Sequence, residues 1–348
     1  MALVRQVRDG DFLGATLDLS QPFETAEWTV SSGVQCQLLM RGVLQLTPPN
    51  IKGTEKDIVL SSGIHGDETC PIELVQRLAE GVLQGRVIPA HRILLIIGHP
   101  EAINAQTRYI DENMNRLFKG HNEERNVDCK VANQLQKVIS HFFAGSRAEN
   151  KDRWHLDMHS AIRDSKHYTF AVSPFTAKPT RSNRLFSFLS RAGIEAVLMS
   201  NASSPTFSWH SAEYYAAQAL TLELGKVAEF GENDLSSLEP FYEALLALVT
   251  EQELPSEWQN DELKIYKVTR TLIKHSEQFS FTFPDELANF TFFEQGKLLG
   301  SDEDVEYFSL SGGEAVVFPN SRVALGHRAC LLVQQADVDL GEQVTLRQ

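Results

Sequence analysis

The chain has 348 residues, a formal charge of −14 at pH 7 and enough apolar content for a sizeable core. That length suits one large α/β domain with an appendage, or two domains, and the acidic balance argues against non-specific binding to nucleic acid or an anionic membrane. The opening residues carry no signal-peptide apolar core, no run approaches membrane-spanning length, and Cys36, Cys70, Cys129 and Cys330 are too scattered for a disulfide framework or a cysteine zinc site. The expectation is a cytoplasmic protein with free thiols.

Residues 1–50 read as short strand-like pieces, with 35–40 and 43–46 flanking a turn at Arg41-Gly42 and Pro48-Pro49-Asn50 ending this edge structure. From 57 to about 250, strands and helices alternate. Ile58-Val59-Leu60 is a buried strand that runs into Ser61-Ser62-Gly63-Ile64-His65-Gly66-Asp67-Glu68. Pro71, favoured as a first helical residue, then opens an amphipathic helix near 71–84. Residues 92–98 form a continuous apolar strand, hence one buried on both faces. A helix over 127–144, strands over 154–159 and 168–172, a helix over 181–192, strands over 196–199 and 219–224, and a helix over about 235–252 follow. This alternation predicts a mixed, largely parallel sheet with helices on both faces. Pro255-Ser256-Glu257 reads as the boundary between residues 1–254 and 255–348. Beyond it, short strands at 264–268, 279–283, 314–318 and 330–333, punctuated by Gly and Pro, predict a small β domain. There is no internal repeat.

Candidate chemistry sits at strand ends, where α/β folds display it. His-x-x-Glu occurs three times, at His65/Glu68, His121/Glu124 and His210/Glu213. His121 lies in a charged, loop-like run, and no strand directly precedes His210. Only His65 and Glu68 stand at a strand-to-helix turn, where imidazole and carboxylate make a zinc-type ligand pair. On the 154–159 strand His155, Asp157 and His159 share a face, and His159 is nearest the strand end; Asp157 could orient a ligand imidazole from behind. The loop 107–116 packs Arg108, Asn113, Asn115 and Arg116 into ten residues, a donor set suited to carboxylates. Glu223 stands alone in the apolar run Leu220-Thr221-Leu222-Glu223-Leu224, a costly burial that a general base would explain and an edge-strand position facing solvent would avoid.

His65-x-x-Glu68, Asn115-Arg116, Asp157-x-His159 and Glu223, in that order, resemble the zinc-carboxypeptidase fold. Gly63 to Glu68, Thr107 to Asp111, Asn115-Arg116 and Thr221 to Gly225 resemble the succinylglutamate desuccinylase/aspartoacylase family, and Asp157 to Arg163 is similar to its desuccinylase branch. The resemblance covers about 50–250 and extends to the β domain. It implies one zinc per chain held by His65, Glu68 and His159, with Glu223 as the catalytic glutamate and Arg108 polarising the scissile carbonyl. Asn115 and Arg116 would bind the amino-acid carboxylate. Asn113 stands where the aspartoacylase branch tends to have an aspartate. The implied activity is hydrolysis of a small N-acyl amino acid, N-succinylglutamate first, in arginine breakdown, with no nucleic-acid or membrane partner; oligomeric state stays open. The alternatives are an aspartoacylase-like deacylase, a small-substrate carboxypeptidase and a zinc-dependent binding protein without turnover.

Overall fold

The computed structural model describes residues 2–146, 152–251, 258 and 263–347, so the boundary at 255–257 lies outside the described residues. In chain order the helices are α1 Ala2–Arg8, α2 Phe12–Leu17, α3 Thr69–Leu83, α4 Pro100–Asn104, α5 Val127–Ala144, α6 Asn183–Arg191, α7 Phe207–Tyr215 and α8 Glu239–Thr250. The first ten strands are β1 Ala26–Thr29, β2 Gln35–Met40, β3 Val43–Thr47, β4 Asp57–Ser62, β5 Arg92–Ile97, β6 Arg153–Ala161, β7 Thr169–Ser173, β8 Ala196–Met199, β9 Gln218–Lys226 and β10 Lys264–Ile273.

These ten join one sheet in the order β1-β2-β3-β5-β4-β6-β9-β7-β8-β10, which continues through Arg328–Gln335, Glu314–Val317 and Thr291–Phe293. The centre, β5-β4-β6-β9, is parallel. Both β4 and β5 are buried at every residue, because helices cover both faces and alternate side chains enter different cores. Ile58, Leu60, Ile93 and Leu95 pack with α3, α6 and α8. Val59, Leu94 and Ile96 pack on the opposite face with α5 and α7. β7 runs antiparallel to β9, whereas the β7–β8 and β8–β10 pairs are parallel again. The sheet is therefore mixed and largely parallel at its centre, as the alternation of elements predicts.

Three differences from the sequence reading have local causes. Residues 2–17 hold two helices as well as the expected edge strands further on; each is too short for a clear period, and Gly10 at φ 103° separates them. α7 was not expected, since its aromatic and polar residues carry little helical pattern; the Thr206 side chain caps it by accepting from the Trp209 N–H. α3 starts at Thr69 rather than Pro71. First-turn N–H groups lack intrahelical acceptors, so a proline is tolerated at the third position too.

The C-terminal module is β-rich, yet its first strand belongs to the main sheet. β10 pairs with β8 over Lys264–Lys267 and then with Arg328–Gln335. A separate three-stranded sheet, Ser280–Phe281, Leu298–Asp302 and Val305–Phe308, packs around Phe279, Leu299 and Leu332. The hairpin Val338–Leu340/Val344–Leu346 returns to the first core through Val338 and Val344. Among the described residues no helix is long and apolar enough to cross a membrane.

Candidate metal centre

The C-terminal ends of β4, β6 and β9 converge on one point. β4 ends in Gly63, at φ 63°, and Gly66, where a Cβ would come within 2.2 Å of the Ala102 backbone. Only glycine permits that approach, and it brings His65 and Glu68 back over the sheet. Glu68 stands at the N-cap position of α3 but caps nothing, so its carboxylate is free for other partners. His159 of β6 and Glu223 of β9 are register partners on adjacent strands. Glu223 therefore lies in the middle of the sheet, where the edge-strand alternative does not apply.

His65, Glu68 and His159 are buried, and one potential ligand atom from each falls within 4.8 Å of the others. His65 Nδ1 lies 2.9 Å from Glu68 Oε1 and 3.2 Å from His159 Nδ1, and His159 Nδ1 lies 2.7 Å from Glu68 Oε2. His65 Nε2–H donates to Asn113 Oδ1 at 3.0 Å, which leaves a lone pair on Nδ1 pointing into the trio. Two ring nitrogens at that separation fit a tetrahedral ion bound at about 2.0–2.1 Å. The donor set is thus chemically suited to zinc. Neither other His-x-x-Glu competes. His121 is exposed, and buried His210 donates Nδ1–H to the Phe118 carbonyl while Glu213 accepts from Thr176.

Electrostatics sharpen the contrast between the ligands. Burial and the nearby Arg108 push His65 down to about 4, so its imidazole is neutral. Burial alone would lower His159 too, but Asp157 and Glu68 on either side hold it well above the ordinary histidine range. Burial would raise Glu68, yet His65, His159 and Arg108 together hold it well below the usual carboxylate range. A metal must displace the His159 proton, so binding releases it.

Behind His159 runs a polar chain. Its Nε2–H donates to Asp157 Oδ2 at 3.1 Å, and Ser61 Oγ donates to Asp157 Oδ1 at 2.6 Å. His155 Nε2 is 2.8 Å from Ser61 Oγ, and His155 Nδ1 is 2.7 Å from Ser211 Oγ. His155, on the same face as His159, is therefore consumed by hydroxyls two residues deeper. Such a chain fixes the ring that faces His65 and Glu68.

The loop 107–116 arches over the trio. Arg108 Nη1 donates to Glu68 Oε1 at 2.6 Å. Asn115 Oδ1 accepts from the Phe207 N–H at 2.9 Å, which sets its Nδ2 beside the His159 ring. Arg116 reaches outward and donates Nη1–H only to the Asn115 carbonyl, at 2.7 Å. The residue that shapes this loop escaped the sequence reading. Asp128, fully buried in the first turn of α5, accepts from the N–H groups of Ile110, Asp111 and Glu112 at 3.2, 2.8 and 3.1 Å and from His99 Nε2 at 2.9 Å. An acid behind the Asn126 cap reads as an ordinary first-turn charge, so only the fold reveals its task.

Beside the trio opens a small cleft, lined by Arg108, Arg163 and Glu223 and, from the C-terminal module, Asn289 and Phe318. Burial, with Glu68 nearby, pushes the Glu223 carboxyl up to about 7, where a carboxylate both takes and gives protons near neutrality. Cys70, close in sequence to Glu68, is buried and its thiol is pushed up to about 12, so it stays protonated.

The Succinylglutamate desuccinylase/Aspartoacylase catalytic domain model matches residues 54–249, and the AstE/AspA barrel-sandwich hybrid domain model matches 261–336. The chain is 46% identical over 325 residues to succinylglutamate desuccinylase of Vibrio vulnificus, covering 92% of this chain and 93% of that one. The solved structure of the Vibrio parahaemolyticus desuccinylase superposes with a TM-score of 0.90 at 43% identity, over 97% of this chain and 98% of that one. The Chromobacterium violaceum desuccinylase gives 0.82 at 32% identity, over 94% and 98%. The chain belongs to the succinylglutamate desuccinylase/aspartoacylase family.

Proposed function

We propose that the chain is a zinc-dependent amidohydrolase that cleaves N-succinylglutamate to succinate and glutamate, a step of arginine catabolism. The observation that carries this reading is the ligand trio set beside Glu223 at the foot of a cleft closed by the C-terminal module. The resemblance to desuccinylases over nearly the whole length supports the substrate.

His65, Glu68 and His159 would hold one zinc per chain. Bound there, zinc supplies a Lewis acid and a water whose pKa falls to about 7. Glu223 accepts a proton from the attacking water and returns it to the departing nitrogen, a double duty its raised pKa favours. Arg108, beside Glu68, offers N–H donors to the carbonyl oxygen as charge builds there. Arg116 receives the amino-acid carboxylate beside Asn115, whose Oδ1 anchors the loop to the Phe207 N–H. Asp157 keeps the His159 ring in its working orientation.

The division of labour follows the proposed domains. Residues 1–254 carry the chemistry, and 255–348 supply the cleft wall through Asn289 and Phe318. A wall there suits a small acylated amino acid. The cytoplasm, where such metabolites arise, is the proposed location. The test is kcat/KM for N-succinylglutamate, N-acetylglutamate and N-acetylaspartate on one zinc-loaded preparation. The reading requires a clear preference for the first; roughly 10⁴-fold is attainable where a site is built to bind a group the competitor lacks. Equal values, or a preference for N-acetylaspartate, would reject it.

A further inference from the structure

Ser160 follows His159 on β6 and is only 1% exposed. Its N–H donates to Glu68 Oε2 at 3.3 Å, but among the described residues its hydroxyl has no hydrogen-bond partner. A buried hydroxyl left unpaired is costly, and a ligand that brings a partner removes the cost. Such a ligand has a way in, because Ser160 lines the cleft beside the trio. The β6–β9 ladder is also irregular at this point. His159 lies opposite Glu223 and Ala161 opposite Lys226, so Leu224 and Gly225 together stand against Ser160. Bulges of this kind re-aim side chains and are frequent beside active sites.

Three residues further on, Arg163 lines the same cleft. It is half-buried, and among the described residues its guanidinium makes one hydrogen bond, from Nε–H to the Asp285 carbonyl of the C-terminal module. The neighbouring acids are engaged elsewhere. The Asp285 carboxylate accepts from the Ser321 N–H at 2.9 Å and the Ser321 hydroxyl at 2.8 Å, and Arg322 Nε lies 3.6 Å from it. Glu286 lies 3.9 Å from Arg322 Nη2. Arg163 is thus tethered by a neutral carbonyl and keeps its Nη1–Nη2 edge for an anion, which that fork binds in bidentate fashion.

The backbone after Arg163 is tethered as well. Asn289, buried and part of the cleft wall, donates its N–H to the Asp164 carbonyl at 2.8 Å, and its own carbonyl accepts from the Lys166 N–H at 3.0 Å. The C-terminal module therefore holds Arg163 both through Nε and through the chain beside it. A cation fixed before its ligand arrives binds without a large ordering cost.

The substrate proposed above carries carboxylates on both sides of the scissile bond. Arg108 and Glu223, assigned to the carbonyl and the departing nitrogen, line the cleft together with Ser160 and Arg163, whereas Arg116, assigned to the amino-acid carboxylate, does not. The anion left for the cleft is the one at the far end of the acyl group. We propose that the Ser160 hydroxyl and the Arg163 guanidinium form the subsite for the terminal carboxylate of the succinyl group, Arg163 taking it on its Nη edge and Ser160 donating O–H to it. This rests on the hydrolase reading above and names the residues that tell a dicarboxylic acyl group from a plain alkanoyl one.

The experiment measures kcat/KM of the zinc-loaded chain and its variants on N-succinylglutamate and N-butyrylglutamate, whose acyl chain ends in a methyl where succinyl has a carboxylate. Arg163→Met should lower the value for N-succinylglutamate about a hundredfold, mostly through KM, and change N-butyrylglutamate by less than about threefold. Ser160→Ala should show the same pattern at about tenfold. Its hydroxyl bonds nothing in the described protein, so this variant keeps the test open if Arg163→Met does not fold. Equal losses on both substrates, or no loss on N-succinylglutamate, would overturn the subsite. Calorimetry gives a readout free of turnover: succinate should bind either variant more weakly, and glutamate should bind as it does to the unsubstituted chain. Weakened glutamate with unchanged succinate would overturn the assignment to the acyl half. If the unsubstituted chain binds succinate but does not hydrolyse N-succinylglutamate, the hydrolase reading fails alone and the calorimetry still decides the subsite.

Discussion

The sheet floor and the 107–116 loop face the same trio from opposite sides, yet they are held in opposite ways. His159 and Glu223 sit on strands with a neighbour on each side, so backbone ladders fix both and no one residue decides their position. The loop has one short 3-10 turn, Met114–Arg116, and three consecutive backbone N–H groups that end on the single carboxylate of Asp128. A redundant floor and a loop hung from one residue should fail differently. On the proposed reading, metal binding belongs to the floor and substrate positioning to the loop.

The largest effect should come from the floor's own ligands. His65→Ala and His159→Ala should each lose zinc and activity together, measured by metal analysis and turnover, while His210→Ala keeps about one zinc per chain. Zinc retained in His65→Ala but lost in His210→Ala would mean that the wrong His-x-x-Glu forms the centre. Next comes Glu223→Gln. It should keep zinc and fold while kcat drops by about 10²–10⁴-fold with little change in KM. Near-normal kcat in a folded, zinc-loaded protein would remove Glu223 from its assigned role.

The same contrast explains what the sequence made legible. The floor is written in long patterns: continuous apolar strands, a glycine-framed turn before His65, an acid alone in an apolar run at Glu223. The ordered spacing of these blocks made the family resemblance visible. The loop is written in a partner far along the chain. Nothing local to Asp128 shows that it collects the N–H groups of residues 110–112, because side-chain-to-backbone bonds of this range leave no periodicity. The short α1 and α2 and the aromatic α7 escaped because a helix of six to nine residues gives period too few turns to register.

Asp128→Asn tests the loop by itself. A neutral amide of the same shape cannot accept from all four donors, and hydrogen bonds to a charged group contribute about 1.5–3 kcal/mol each. Misplacing Arg108 and Arg116 by an ångström is worth about 10²-fold in kcat/KM, with zinc retained. Zinc lost along with activity would show that floor and loop are one unit. A pH signature accompanies the change. Burial would raise the Asp128 pKa, but the N–H groups of Asp111, Glu112 and Ile110 and then His99 hold it below the usual aspartate range. The carboxylate therefore stabilises the fold fully above about pH 4, and that contribution is lost as pH falls through the lower folded value. Acid unfolding curves of Asp128→Asn should be shallower below that point.

The smallest effect should arise where loop and floor touch. Asn113 Oδ1 accepts from His65 Nε2–H and from the Asn115 N–H, at 3.0 and 2.9 Å, so it ties the loop to His65. A neutral amide oxygen is a weaker acceptor than a carboxylate. Asn113→Asp keeps the shape and both bonds but makes the first charge-assisted, which raises the basicity of His65 Nδ1 toward the metal. The added charge also draws on Arg108, whose guanidinium already serves Glu68. Zinc affinity, read by chelator competition, should rise by up to about tenfold, the lower end of what such outer partners contribute. Turnover should fall modestly, because a more strongly held and more electron-rich ligand set makes a weaker Lewis acid. A loss of zinc affinity in Asn113→Asp would show instead that the loop positions Asn113 too loosely to act on His65, and that the floor holds its metal without help from above.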